Sequence, residues 1–505
     1  MTTMRILFGL LVVWIFAGAP GCSVSRQTGK VWTPDQKYPA ARLQDDYRIF
    51  RSVLEESHPS LYWFTPKDSM DYYFDQGYRS IRDSMSETEF KNILSWVTNK
   101  IHCGHTSIRS SKKFLKYLDT AKVTIFPLTF RVWPDYAVLT ANLHHHDSVL
   151  RRGTIITHID GHPISQLTDT FLHYISSDGF SVNGRYQALS NRGIFGSLYQ
   201  NLYGPKDQFT IGYLDKEGFE RETVISAFVP KRDSLQKAAR EESKKERDEP
   251  RPVVLSAARH MQIDTTLSSA YMVVNTFSRG NKLRPFFRKA FRVLDKHNIK
   301  HLVIDVRSNG GGDAGISTML TRYLADKKFK LADSLYTTKR TSSYSKYIRW
   351  QPWYWVLMQG VTRKKKDGLY HFTYFENHYF KPKKKHHYDG EVYIITGGNS
   401  FSAATLFVKA LKGQKNVTVI GEETGGGAYG NTAWMIPDVV LPHTKVRFRL
   451  PRFRLVMDKE LVQQGRGVLP DIEVAPNLET IRRGIDPKVE AVRQIILRRS
   501  GLVQQ

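Results

Sequence analysis

Apolar positions in the first part of the chain recur at helical spacing. Leu43, Tyr47, Phe50, Val53 and Leu54 form one such series and Phe90, Ile93, Leu94 and Val97 a second, which predicts amphipathic helices in a small N-terminal domain over 39–115. His58-Pro59 should end the first helix, because the residue before a proline is pushed out of the helical region. Ser86-Glu87-Thr88-Glu89 supplies capping residues for the second. A short strand is expected around Ile101 to Ile108. The pattern then shortens to period two, with strands near Ile125 to Val132 and Tyr136 to Leu143. Ile156 and His158 next alternate into Asp160-Gly161, a tight hairpin turn followed by a short strand and a helix.

In the second half, strands and helices alternate. Strand Ala270 to Val274, helix Leu283 to His297, strand His301 to Val306 and helix Ala314 to Leu324 are followed by strand Glu391 to Thr396, a helix from about Ser402 to Leu411, and strand Val417 to Gly421. That rhythm predicts a βαβ core. It is interrupted over 337–387 by Trp350, Trp353, Trp355 and two lysine runs, Lys364-Lys365-Lys366 and Lys383-Lys384-Lys385. Such a basic aromatic stretch could stack bases or grip an acidic peptide; the preferred reading is an inserted lid with its aromatics on the core and its lysines in solvent. Residues 231–252 carry almost no apolar side chain and read as a charged linker. Residues 481–505 read as a C-terminal helix.

Composition narrows the classes. With 505 residues and 41% hydrophobic content, a mostly disordered chain is excluded. A balance of 75 Lys+Arg against 48 Asp+Glu gives a net charge of +27, which favours anionic partners. The basic residues are nevertheless spread along the whole chain without a zinc-finger, RRM or homeodomain signature, so nucleic acid is not the expected partner. Two cysteines, Cys22 and Cys103, exclude a disulfide framework and a cysteine zinc cluster. The apolar run Ile6 to Ala19 after Arg5 is too short to span a bilayer of about 30 Å and has the proportions of a signal-peptide core, giving a removable segment 1–21. Ala19-Pro20-Gly21-Cys22 resembles the lipobox of bacterial lipoproteins, in which the cysteine is lipidated and becomes the new N-terminus. Residues 22–38 would then be a lipidated tether. The expectation is an exported, membrane-anchored protein on the periplasmic or cell-surface side.

Four motifs carry candidate chemistry. Asp305-Val306-Arg307-Ser308-Asn309-Gly310-Gly311-Gly312-Asp313 is a glycine-rich turn between a strand and a helix, where backbone N–H groups can face a negative oxygen. Neither the P-loop nor the dinucleotide glycine pattern is present, so the anion can equally be a transient oxyanion. Gly397-Gly398-Asn399-Ser400-Phe401-Ser402-Ala403-Ala404-Thr405 sets a serine at the head of a helix, with its hydroxyl exposed and the next N–H lacking an intrahelical acceptor. This is the logic of a nucleophile elbow without the G-x-S-x-G spelling. The third motif is Gly421-Glu422-Glu423-Thr424-Gly425-Gly426-Gly427, and the fourth is Gln464-Gly465-Arg466-Gly467-Val468-Leu469-Pro470-Asp471-Ile472.

In this order, together with Gly104-His105-Thr106 and a segment over 120–230 that resembles a PDZ domain, the motifs resemble the S41 family of serine peptidases, the tail-specific, C-terminal-processing and tricorn-like enzymes. The resemblance implies an α/β fold: a ClpP/crotonase-like catalytic core over 253–480, a helical N-terminal domain and an inserted PDZ-like β domain. It further implies a serine endopeptidase that cleaves exported polypeptides by acyl transfer without metal or cofactor, with the polypeptide docked through the PDZ-like domain as an added strand. Ser402 would be the nucleophile, and N–H groups of Gly310, Gly311 and Ala403 the oxyanion hole.

The base follows from which branch the chain resembles. Processing peptidases of the family place a lysine where this chain has Gly427, and Lys409 and Lys412 would be carried away from the hydroxyl along the helix. The tricorn-like branch uses a histidine ahead of the PDZ-like region, which makes His105 the expected general base. His102 reads as structural. That branch also places a glutamate just before Gly-Val-x-Pro-Asp, where this chain has Gln464. An amide can orient an imidazole but cannot balance the charge of an imidazolium. Glu423, Asp458 or Glu460 could substitute. The alternative reading is a catalytically inactive, peptide-binding relative of the same fold.

Overall fold

Six strands, the inner ones rich in Val and Ile and largely buried on both faces, pair into one sheet in the computed structural model, which describes residues 32–121, 123–230, 255–349, 353–461 and 465–501. The strand order is Arg259–Asp264, Ser269–Val274, His301–Asp305, Glu391–Thr396, Val417–Gly421, Ile472–Glu473. The first pairing is antiparallel and the other four are parallel. Spatial order equals chain order, and right-handed crossovers that always advance the same way leave their helices on one face. Helices Leu283–Lys296, Ala314–Leu324 and Ala403–Leu411 accordingly bury Phe287, Leu320 and Phe407 against Met272, Leu302 and Ile394. The opposite face, with Val303, Tyr393 and Ile420, is covered by Val492 and Ile496 of helix Pro487–Arg499. The expected α/β core is present. Helix Ala314–Leu324 and strands Glu391–Thr396 and Val417–Gly421 have the bounds the pattern predicts, whereas the helix expected from Ser402 begins at Ala403.

Helices Ala40–Ser57, Lys67–Arg79, Glu87–Asn99 and Lys112–Thr120 make up the N-terminal region. His58 closes the first in an extended conformation ahead of Pro59, and Ser86 with Glu89 forms a reciprocal capping box on the third. The core around Leu43, Phe50, Leu54 and Phe90 is completed from far along the chain by Val439, Val446 and Phe448, with Phe50 and Phe448 edge to face at 5.2 Å. Strand Ile108–Arg109 also pairs with Arg447–Arg449. It is all that forms of the strand expected from Ile101. His102 has φ of 53°, incompatible with extended backbone, and residues 101–107 make turns instead.

Antiparallel strands Leu128–Val132, Ala137–Asn142, Ile155–Ile159, Gln208–Leu214 and Glu220–Ser226 build a separate β domain with its own core around Phe130, Ile156, Phe171 and Phe209. Asp160 (φ 49°) and Gly161 (φ 78°) both adopt left-handed backbone and reverse the chain into His162–Pro163, the turn that Asp-Gly predicts.

Short pieces of the region expected as a lid join a sheet, while its Tyr354, Tyr374, Phe375 and Phe380 line the same cavity as Ser402. Strand Ser334–Thr337 pairs with Phe453–Val456 and Tyr370–His371 in a five-stranded sheet that also takes in Gly430–Ala433. One expectation for its side chains is corrected: Trp355 is exposed rather than packed on the core. Lys365 is exposed, as expected of these lysines, and its Nζ reaches buried Glu376 at 2.6 Å, which also meets His371 Nδ1 at 2.6 Å. The signal segment, Cys22, most of the tether, the charged linker over 231–252, Trp350 and Gln464 lie outside the described residues. Among the described residues no helix is long and apolar enough to cross a membrane.

Candidate active site

Two glycine-rich turns meet because their strands are parallel neighbours. His301–Asp305 and Glu391–Thr396 pair in register, so the segments leaving their C-terminal ends lie side by side. Ser402 caps the following helix with φ 55° and ψ −119°, a backbone conformation that non-glycine residues avoid. The surrounding turn over-determines it. Phe401 N–H donates to Asn309 C=O at 3.0 Å and Gly426 N–H to Ser400 C=O at 3.2 Å, while buried Ser400 donates its hydroxyl to Val306 C=O at 2.8 Å. Ala403, as the first residue of the helix, has an N–H with no intrahelical acceptor.

Gly311 faces this turn with φ of 95°. A Cβ there would lie 2.7 Å from Ser402 Cβ, 2.8 Å from Phe401 O and 3.0 Å from Ala403 N, so only glycine allows the approach. Its N–H, expected in the oxyanion hole, donates instead to Asn309 Oδ1 at 2.9 Å. Gly310 is exposed, and a Cβ on it would touch nothing within 4 Å. Asn309, which sequence reasoning did not single out, is fully buried; its side chain also donates to Val274 C=O at 2.9 Å and so ties the turn to the sheet. The Phe277–Gly312 bridge uses Gly311 C=O and Asp313 N–H, which leaves the Gly312 N–H directed away from Phe277. Gly312, Ser402, Ala403, Asn431, Trp434 and Met435 line a cavity of about 650 Å³.

The third and fourth motifs are backing. A Cβ on Gly425 would lie 2.1 Å from Gly398 O, and one on Gly426 3.1 Å from Ser402 N, so these glycines let the strand end pass close behind the serine turn. Thr424 N–H donates to Val468 C=O at 3.1 Å and Ala428 N–H to Arg466 C=O at 2.8 Å, which fixes the fourth motif onto the third.

His105 reaches the site from the N-terminal region. Its ring is 5% exposed and lies against Phe401, centroids 4.6 Å apart. Gly104 permits this, since a Cβ there would be 2.7 Å from the Phe401 ring. Neither ring nitrogen has a hydrogen-bond partner among the described residues, so the histidine meets the serine turn through the Phe401 ring and makes no hydrogen bond to Ser402. Nδ1 stands 3.8 Å from Asp178 Oδ1, which accepts Gly104 N–H at 2.8 Å. His102 Nδ1 meets Gly179 C=O at 3.1 Å and its ring packs on Phe180. Burial pushes the Cys103 thiol up to about 11, with the Asp178 charge adding to it, so this thiol stays protonated.

None of the three carboxylates weighed from the sequence faces His105. Glu423 accepts from Arg466 Nε at 3.0 Å and Nη2 at 2.7 Å, and from Gly467 N–H at 2.6 Å. Asp458 pairs with Lys409 at 2.9 Å, and Glu460 is exposed. Lys412 is held by Asp471, and Gly427 bridges to Gly467. The carboxylate beside the histidine is Asp178, from a segment 73 residues further along that no spacing connects to it. Among the described residues no three His, Cys, Asp or Glu side chains are grouped to hold a metal ion.

The sequence profile of Peptidase family S41 matches residues 268–474. In three dimensions the chain is similar to mature CPAF, at 15% identity over 90% of this chain and 96% of that one, with a TM-score of 0.63. It is similar also to mature CPAF complexed with lactacystin, at 14% identity over 92% and 99% of the two chains, with a TM-score of 0.61. At such identities the likeness is one of fold. No curated protein sequence matches the chain.

Proposed function

From the premise that this chain belongs to peptidase family S41 through residues 268–474, and is therefore a serine peptidase acting on polypeptides, we propose an endopeptidase in which Ser402 and His105 form the catalytic pair. The observation that carries the assignment is the backbone of Ser402. A strained φ of 55° at the head of a buried helix, in a turn fixed by hydrogen bonds to two other segments, sets Ser402 in the lining of a cavity. Strain of this kind costs of order 1–3 kcal/mol and persists where function requires the geometry.

The reaction is acyl transfer. Ser402 Oγ attacks the scissile carbonyl carbon as His105 takes its proton; the carbonyl oxygen gains the negative charge and is met by Ala403 N–H at the helix head and by the glycine turn opposite. His105 then gives the proton to the leaving amine, and water repeats the sequence on the acyl-enzyme. Among the donors of the glycine turn, Gly312 suits the role better than Gly311, whose N–H is taken by Asn309. That His105 makes no hydrogen bond to Ser402 is compatible with this scheme, because catalytic hydrogen bonds in unliganded enzymes often form or tighten only with substrate.

The β domain over 120–230 is the proposed docking site for an extended stretch of the polypeptide, in the manner of a PDZ domain. The lipobox-like Ala19-Pro20-Gly21-Cys22 supports an exported protein anchored through Cys22, acting on polypeptides outside the cytoplasm. The test of the catalytic pair is labelling of the purified protein with a fluorophosphonate, which reacts with activated serines. Wild type should label, and Ser402→Ala and His105→Ala should not; a folded wild type that stays unlabelled removes the catalytic reading and leaves peptide binding.

A further inference from the structure

A general-base histidine needs a partner that fixes which ring nitrogen carries the proton, and the expected place for that partner holds an amide, Gln464. The β domain offers another. Asp178 sits in the turn between helices Ile164–Leu172 and Val182–Leu189, is 3% exposed, and lies 3.8 Å from His105 Nδ1 through Oδ1. Gly104 N–H binds the same oxygen at 2.8 Å, so the carboxylate is anchored to the residue that precedes the histidine.

The groups left over are complementary. Asp178 Oδ2, both His105 nitrogens and Arg454 Nε and Nη2 are buried without hydrogen-bond partners among the described residues. Arg454 is 1% exposed, stacks its guanidinium on Trp63 at 4.1 Å, and lines the same narrow crevice as Asp178. A buried guanidinium requires an anion nearby, and burial pushes its proton affinity down while Tyr336 and then Asp178 oppose that push. Glu423 and Asp458 are consumed by Arg466 and Lys409.

The geometry points to Asp178 as the positioning residue for His105, accepting Nδ1–H so that the free Nε2 is left for the proton of Ser402. This rests on His105 serving as the base for Ser402. The contact closes with a side-chain movement of about 1 Å, within the rotation available to an imidazole that has no other hydrogen bond. The acid thus comes from the β domain, ahead of the catalytic core, rather than from the segment after it.

The experiment combines nitrogen NMR of His105 in the full-length protein with fluorophosphonate labelling rates of wild type, Asp178→Asn and Asp178→Glu. The asparagine keeps an acceptor for Gly104 N–H but not the charge. Expected results are an Nδ1–H tautomer of His105 in wild type, its loss in Asp178→Asn, a labelling rate lower by about 10³- to 10⁴-fold, and partial recovery in Asp178→Glu. Labelling of Asp178→Asn at the wild-type rate, or a fall in rate with the tautomer unchanged, would overturn the assignment. Should wild type fail to label while the tautomer still depends on Asp178, the pairing stands and the peptidase reading of Ser402 fails. Should Asp178→Asn fail to fold, the wild-type tautomer decides: an Nε2–H form rules Asp178 out, and an Nδ1–H form with recovery in Asp178→Glu sustains it.

Discussion

At Ser402 and Gly311 two backbones approach more closely than side chains allow. A methyl group at 311 would have to sit 2.7 Å from Ser402 Cβ while its own residue adopted φ of 95°, so Gly311→Ala must displace the serine turn or the glycine turn. Loss of one oxyanion donor costs about 10²- to 10³-fold in rate, and displacement of the turn carrying Ser402 should cost at least that. We expect Gly311→Ala to lower fluorophosphonate labelling by 10²-fold or more with a smaller effect on peptide affinity. Gly310→Ala is the control, since nothing lies within 4 Å of the added atom; equal losses in both would show that the close approach at Gly311 is not what matters. The need for a glycine-rich turn and a helix-heading serine was legible from motif spacing. That Asn309 would take the Gly311 N–H was not, because it depends on a side-chain rotamer set by Val274, on a neighbouring strand.

At the scale of elements, the helix Ala40–Ser57 ends in a titratable cap. His58 is buried, its Nδ1 accepts Ser60 N–H at 3.2 Å and its Nε2 meets Thr106 Oγ1 at 2.9 Å, one residue from His105. Burial, reinforced by the charge of Arg454, lowers its proton affinity to about 3. The unfolded chain therefore binds a proton below about 6.5 that the folded chain refuses until about 3. Stability is unaffected by His58 above that window and falls as pH drops through it, by up to about 1.4 kcal/mol per pH unit. Urea unfolding at pH 7 and pH 4.5 should show a loss roughly 2 kcal/mol smaller in His58→Gln than in wild type; equal losses would assign the acid sensitivity elsewhere. Pro59 made the helix end readable from sequence. The burial of its cap was not readable, because the strands that enclose this region lie near residue 450.

Over the whole molecule, described residues from Pro34 onward belong to one compact unit, and Glu422 is a point where three parts of it meet. Arg131 of the β domain donates to its Oε1 at 2.6 Å, and Lys488 of the C-terminal helix to its Oε2 at 2.7 Å and to Thr396 C=O at 2.7 Å. Burial pushes the Glu422 carboxyl up, but the charges of Lys488 and Arg131 outweigh it and the net shift is downward. Removing one member of a buried ion network leaves uncompensated charge, at about 3–5 kcal/mol. Glu422→Gln should lose stability in that range by chemical denaturation, and Glu422→Gln with Lys488→Met should recover part of it. A loss under about 1 kcal/mol would mean that water reaches the cluster.

The sequence by itself determined the local elements and the chemistry they carry. Strand and helix periodicity, the Asp160-Gly161 turn, the Ser86 cap and the glycines that allow close backbone approach are properties of a few adjacent residues, and the order of the motifs pointed to the peptidase family. Tertiary structure decided what meets what. His105 comes to Phe401 because the N-terminal helices share a core with Val439 and Phe448, and Asp178 comes to His105 because a turn of the β domain packs against Gly104. Those contacts join segments separated by 296 and 74 positions. Periodicity and motif spacing act over one element at a time, whereas the choice of partner at such separations is made by the summed burial of whole faces, which no single stretch of sequence contains.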